Sequence, residues 1–190
     1  LPATRDIRRF VMADYVGDLF WQGVTQGLPL LIITVAGAAP NAYFALPWTI
    51  VTTLYLWGEN MGQSLVVETA ADQSDLTNRC RRLVEHTLRV LVAPIIVLVL
   101  GAPLVLRIFG ADYSQHGAHL LQVLTLSAVP ALVTATAVSA ARAQQRTKLA
   151  TKIHGAVAIL GMASAAALLP TLGILGVGIA WLGTQTAVAT

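Results

Sequence analysis

The 190-residue sequence has 56% hydrophobic and 11% charged residues, whereas about 25% of the residues of a typical soluble domain are charged. This composition excludes an ordinary soluble domain and predicts an integral membrane protein. The formal net charge of +3 does not indicate nucleic-acid binding, because basic loops also set the topology of membrane proteins. The single cysteine, Cys80, excludes an internal disulfide.

The longest uncharged stretch covers residues 19–58. One transmembrane helix needs about 20 apolar residues, so this stretch predicts two membrane-spanning helices with a turn between them. The turn is expected at residues 37–41, where Pro40 interrupts a helix and Asn41 caps the next one. The sequence therefore predicts a helical hairpin in the membrane.

The apolar pattern continues to the end of the chain and predicts an all-α fold. Six helices are expected, at residues 13–37, 42–70, 75–106, 119–144, 149–169 and 174–190. They predict one six-transmembrane-helix bundle over residues 1–190. The chain starts at Leu1 and stops within an apolar run, so we expect it to be a fragment of a longer polypeptide.

The distribution of basic residues predicts the orientation of the bundle. With six alternating spans, eleven of the twelve Lys and Arg residues fall on one side, and Arg107 falls on the other. Because cytoplasmic loops are enriched in Lys and Arg, we expect a multi-pass membrane protein whose basic side faces the cytoplasm. Both ends of this segment are then cytoplasmic.

Polar side chains inside the first two helices carry most of the functional information. Such residues are costly in lipid unless they face protein or a water-filled path. We expect the following residues to line a substrate or ion path: Gln22, Thr25, Gln26, Tyr55 and Glu59. For Glu59, a position at the cytoplasmic interface beside Trp57 is an equal alternative.

Three prolines, Pro29, Pro94 and Pro130, are candidate hinges, because a proline inside a helix removes a hydrogen bond and bends it. No nucleophile motif or phosphate loop is present, and the four histidines lack metal-binding spacing. The sequence therefore predicts neither an enzyme nor a metal site, and no cofactor other than a coupling Na⁺ or H⁺.

Four segments together resemble a known family: QSLVVETAAD at 63–72, RIFGADYSQHGAHLLQVLTLSAVP at 107–130, ARAQQRTK at 141–148 and LPTLGILGVGIAW at 169–181. Their order is similar to that in the C-terminal half of bacterial polysaccharide flippases. These flippases belong to the multidrug/oligosaccharidyl-lipid/polysaccharide exporter superfamily. The clearest local match is FGADY at 109–113.

The resemblance implies a partner, a six-helix N-terminal bundle of the same polypeptide, and a central cavity between the two bundles. The resemblance also implies a location in the bacterial plasma membrane, where alternating access would move a lipid-linked saccharide across the bilayer, driven by an ion gradient. No functional residue of the family maps onto this chain.

Three alternatives stay open. They are a drug or peptidoglycan-precursor exporter of the same superfamily, a membrane-embedded glycosyltransferase or polymerase, and a noncatalytic membrane scaffold.

Overall fold

The computed structural model describes residues 2–71 and 76–190, with side chains described for residues 12, 14–60 and 78–190. The described chain is entirely helical and contains no strand, which confirms the all-α fold class. Its helices are α1 Pro2–Val35, α2 Ala38–Ala71, α3 Leu76–Arg107, α4 Ala111–Leu126, α5 Ala128–Ala143 and α6 Thr147–Ala189.

The turn between α1 and α2 is shorter than the sequence predicts. Gly37 adopts a positive φ of 96°, which favours glycine, and its carbonyl accepts a hydrogen bond from the Asn41 N–H at 3.4 Å. Pro40 and Asn41 consequently lie in the first turn of α2, where a proline needs no hydrogen-bonded N–H. The prediction that Asn41 caps the helix was wrong, because α2 already begins at Ala38.

The predicted helix at 119–144 is two helices, α4 and α5, whose axes meet at a bend of 40°. The break is at Ser127, three residues before the expected bend at Pro130. Pro130 lies in the first turn of α5, a position that tolerates proline. Pro29 and Pro94 lie inside the continuous helices α1 and α3, so bending there stays a prediction.

Helix α6 folds back on itself at Gly173, where φ is 60° and ψ is −149°. Two residues 20 positions apart in a straight helix are separated by about 30 Å. In α6, the Ser164 and Thr184 hydroxyl oxygens are 3.3 Å apart. The chain therefore forms two arms, α6a (147–172) and α6b (174–189), which correspond to the helices predicted at 149–169 and 174–190.

The first arm of α6 runs parallel to α1. Gly17 lies against Thr151, and Gly27, ten residues further along α1, lies against Met162. Because both helices advance in the same direction along this contact, the middle of α1, around Gly17, lies beside the start of α6.

The pair α4–α5 runs alongside α2. Tyr55 of α2 is hydrogen-bonded to Ser127 at the α4–α5 break, and Gly58 lies against Leu132 of α5. Helix α3 packs antiparallel to α4, since the Gln122 side chain donates to the Val99 carbonyl and that of Ser114 to the Pro103 carbonyl. Successive elements therefore alternate in direction.

This alternation gives the bundle two distinct ends. We call one the basic end; it contains the start of α3 and the α5–α6 junction, with the described basic residues Arg79, Arg81, Arg82, Arg142, Arg146, Lys148 and Lys152. The other, the opposite end, contains the turns at Gly37, Gly110 and Gly173.

Within the described chain, two helices are long and apolar enough to cross a membrane, at Asn78–Arg107 and Thr147–Ala189. The bent pair α4–α5 is a third if it is counted as one span. Only 11% of the most apolar window of α3 is buried inside the protein. This apolar surface faces outward, as expected for a helix in contact with lipid, and agrees with a membrane location.

Candidate functional site

A cavity of about 500 Å³ lies between α1, α2, α5 and both arms of α6, near the basic end. Its walls combine apolar side chains with five ionisable groups and one amide, namely Asp14, Asp18, Glu59, Arg142, His154 and Gln185. A cavity of this size is large enough for a small-molecule ligand or a head group.

Arg142 links α1 to α5 at the mouth of this cavity. Its Nε donates to Asp14 Oδ1 at 2.8 Å, and its Nη2 donates to Asp18 Oδ1 at 2.6 Å. The two aspartates are four residues apart and therefore share one face of α1. Arg142 lies in the last turn of α5, where the helix dipole favours a positive charge.

The contact between α1 and α6a forms the next wall. The two helices are in contact at Gly17, where a Cβ would lie at the van der Waals distance of 3.4 Å from the Thr151 Cα. The His154 ring nitrogen Nδ1 is 3.1 Å from the Gly17 carbonyl oxygen, so this nitrogen carries the proton and donates. The His154 ring also stacks on Trp21, with 5.8 Å between ring centroids.

A chain of hydrogen bonds holds Tyr55, which lines the cavity, to residues behind the wall. The Trp181 Nε1–H donates to the Tyr55 hydroxyl at 2.9 Å, and this hydroxyl lies 2.6 Å from Ser127 Oγ. Ser127 Oγ donates in turn to the Leu124 carbonyl at 2.5 Å. All three side chains are buried, and each has its hydrogen-bonding groups satisfied.

Gln185 differs from these neighbours. Its side chain is 1% exposed and lines the cavity, yet neither Nε2 nor Oε1 has a hydrogen-bond partner among the described residues. A buried amide without partners costs about 1–3 kcal/mol. Such a cost is retained where the group serves a ligand or bound water.

The structure places two of the five predicted path residues, Tyr55 and Glu59, in the cavity wall. Thr25 is buried, but its hydroxyl donates to the carbonyls of its own helix. Gln22 and Gln26 are exposed on the outer face of α1 and do not line the cavity. A role for these three in a path stays a prediction.

Five residues that line the cavity were not among the path residues selected from the sequence: Asp14, Asp18, Arg142, His154 and Gln185. The four-residue spacing of the aspartates placed them on one helical face, but nothing local identified Arg142 as their partner. Gln185 carried a usable signal, since it is the single amide side chain of α6b and amides in apolar helices are costly. Among the described residues, no group of three or more His, Cys, Asp or Glu is placed to hold a metal ion.

Fold and site together define an all-helical bundle with candidate membrane spans and a cavity whose largely apolar wall carries ionisable and amide groups. Comparison with protein-family models, curated proteins and solved structures found no match to this chain. The resemblance to polysaccharide flippases therefore stays a prediction.

Proposed function

We propose that this chain is a six-span bundle of a transporter that moves a lipid-linked oligosaccharide across a bacterial plasma membrane by alternating access. The observation that carries the proposal is a cavity of about 500 Å³, with carboxyl, guanidinium and amide groups set in a largely apolar wall, inside a bundle with an apolar outer surface. Ionisable and amide groups in a membrane bundle are tolerated mainly where they face a cavity or one another, and they mark transport paths.

The proposed six spans are α1, α2, α3, the pair α4–α5, α6a and α6b. The fold-back at Gly173 supports counting α6 as two spans, and the course of α4–α5 beside α2 supports counting that pair as one. With this count, the ends of the segment and both basic linkers share the basic end. The positive-inside rule then assigns that end to the cytoplasm.

Cysteine accessibility tests this topology. In a Cys80→Ala background of the full-length protein, Ala36→Cys, Asp112→Cys and Lys148→Cys each place a thiol at an exposed position. A membrane-impermeant maleimide should label positions 36 and 112 on intact cells, and position 148 only after permeabilisation. Labelling of positions 36 and 148 from the same side would contradict a spanning α1–α2 hairpin.

Transport itself is tested with the full-length protein in proteoliposomes that contain a fluorescent polyprenyl-diphosphate oligosaccharide. The expected result is protein-dependent movement between leaflets, measured by access of a membrane-impermeant quencher. Glu59→Gln, in the cavity wall, should slow this movement several-fold if Glu59 belongs to the path. Gln22→Ala and Gln26→Ala decide whether the path also includes the outer face of α1.

The same vesicle assay distinguishes the proposed transporter from the three alternatives. Movement of a fluorescent cationic drug without movement of the oligosaccharide would favour a drug exporter. A chemically altered saccharide lipid, detected by chromatography, would favour a glycosyltransferase or polymerase. The absence of any movement or product in the full-length protein would contradict the proposed transport and leave the scaffold alternative.

A further inference from the structure

The buried amide of Gln185 and the charges of the surrounding wall restrict which part of a ligand fits the cavity. We infer that the cavity binds a neutral group rich in hydroxyl or acetamido functions, that Gln185 recognises it, and that the diphosphate of a lipid-linked saccharide lies outside. This inference rests on the proposed transport function and specifies the part of the substrate that the cavity holds.

A ligand that pairs with both polar atoms of Gln185 must offer a hydrogen-bond acceptor beside a donor. Its Nε2 offers two N–H donors and its Oε1 accepts, and all of these are unpaired among the described residues. Two neighbouring sugar hydroxyls satisfy this pattern, as does the N–H and C=O pair of an acetamido group. A phosphate offers acceptors alone and would leave Oε1 unsatisfied.

The adjacent side chains do not supply the missing partners. The Tyr55 hydroxyl is already engaged with Trp181 and Ser127, and the Thr134 hydroxyl donates to the Pro130 carbonyl at 3.1 Å. Gln185 is therefore the wall residue whose polar atoms are both buried and available to a ligand.

Charge gives the second, independent argument. Three carboxyl groups, from Asp14, Asp18 and Glu59, face the cavity against one guanidinium, which is held by the two aspartates. Such a wall repels a diphosphate, whereas carboxylates accept hydrogen bonds from sugar hydroxyls. Trp21 adds an aromatic surface to the same wall, and aromatic faces pack well against the C–H faces of sugar rings.

The experiment measures equilibrium binding to the purified full-length protein in detergent by isothermal titration. The probes are N,N′-diacetylchitobiose, which carries acetamido groups, maltose, which carries hydroxyls alone, and inorganic pyrophosphate. At least one disaccharide should bind, and Gln185→Leu should weaken its binding about tenfold, the loss expected for two hydrogen bonds to a neutral ligand. Binding of diacetylchitobiose alone would identify an acetamido group as the donor–acceptor pair that Gln185 recognises. Binding of maltose would identify two neighbouring hydroxyls.

Thr87→Val is the matched control. Thr87 is also 1% exposed, and its hydroxyl also lacks a partner among the described residues, but it does not line the cavity. The control should therefore bind the disaccharide as the wild type does. Because Gln185→Leu removes an unpaired buried amide, this variant should unfold at the same or a higher temperature, so a loss of binding is not a loss of folding.

Three results would overturn the inference: neither disaccharide binds, Gln185→Leu binds the disaccharide unchanged, or pyrophosphate binds and its binding depends on Gln185. The vesicle assay keeps this test separate from that of the proposed function. Gln185-dependent disaccharide binding without lipid movement supports the cavity assignment and contradicts transport. Lipid movement that is unaffected by Gln185→Leu supports transport and overturns the role of Gln185.

Discussion

The two ends of the bundle are built by different chemistry. At the basic end, side chains from distant parts of the chain meet around a cavity, and Arg142 pairs with Asp14 and Asp18 across it. At the opposite end, aromatic rings pack directly: the Tyr43 ring stacks on His116, with 4.7 Å between centroids, and meets Tyr113 edge-on at 5.5 Å.

Close contacts at two glycines also hold the elements of the opposite end together. A Cβ at Gly117 would lie 3.3 Å from the Tyr43 carbonyl oxygen, and one at Gly176 would lie 2.6 Å from that of Leu168. A smaller cavity of about 310 Å³, lined in part by Tyr43 and Tyr113, is present on this side. Packing of backbone and rings holds the opposite end together, whereas the basic end combines ring stacking with the salt bridges of Arg142.

This difference indicates which end rearranges more readily. A salt bridge that is partly exposed to water can exchange its partners for water or a ligand at modest cost. Close-packed backbone and rings cannot separate without a loss of van der Waals contact. Under the alternating-access proposal, opening at the basic end should therefore need less energy than opening at the opposite end.

The largest expected effect is that of Gly176→Ala, which adds a methyl group within the close packing of the opposite end. The added Cβ would lie 2.6 Å from a backbone oxygen across the α6 hairpin, and we expect a loss of about 3 kcal/mol of stability. Thermal unfolding in detergent measures it. Gly183→Ala, on the same arm with no atom within 4 Å of the new Cβ, should be neutral or stabilising by up to about 1 kcal/mol. Equal effects of both substitutions would contradict the fold-back at Gly173.

A smaller loss, about 1.5 kcal/mol, is expected for Arg142→Met, which removes two charged hydrogen bonds that are partly exposed to water. The same unfolding measurement applies. Adding Asp14→Asn and Asp18→Asn to this variant should restore part of the stability, because the unpaired charges are removed. Arg81→Met is the control: its pair with Glu85 is exposed and 3.7 Å long, and its loss should cost less than about 0.5 kcal/mol.

The smallest of the three effects is predicted for Tyr55→Phe, which removes the hydroxyl that joins Trp181 to Ser127. The substitution leaves the buried Trp181 N–H without its acceptor, and we expect a loss of about 1 kcal/mol. A shift of tryptophan fluorescence should accompany it, because Trp181 loses a hydrogen bond. Tyr15→Phe, at an exposed tyrosine, should change neither stability nor fluorescence.

Hydrophobic pattern and turn residues were sufficient to predict the helical fold and the reversal at residues 170–173. Both depend on local physics, namely apolar run length and the conformational freedom of glycine at Gly173. The break at Ser127 was not predictable in this way. Serine is not a helix breaker, and its buried hydroxyl is engaged with Tyr55, 72 residues earlier in the chain.

The site was predicted less completely than the fold, for a related reason. Tyr55 and Glu59 were found because polar residues in an apolar helix are conspicuous. Gln22 and Gln26 were selected by the same rule, but the rule does not say which way a side chain faces, and both are exposed on α1. Arg142 adjoins a basic linker, and membrane topology alone explains the positive charge of such a linker. Its pairing with the aspartates of α1 was therefore evident only from the three-dimensional structure.

The long separation between Arg142 and its partners has a consequence for synthesis of the protein. Asp14 precedes Arg142 by 128 residues. At about 5–20 residues per second, roughly 6 to 25 s pass between their translation. During that interval α1 carries two carboxylates whose counter-charge has not yet been made. The salt bridges between α1 and α5 can therefore form only after Arg142 has been translated.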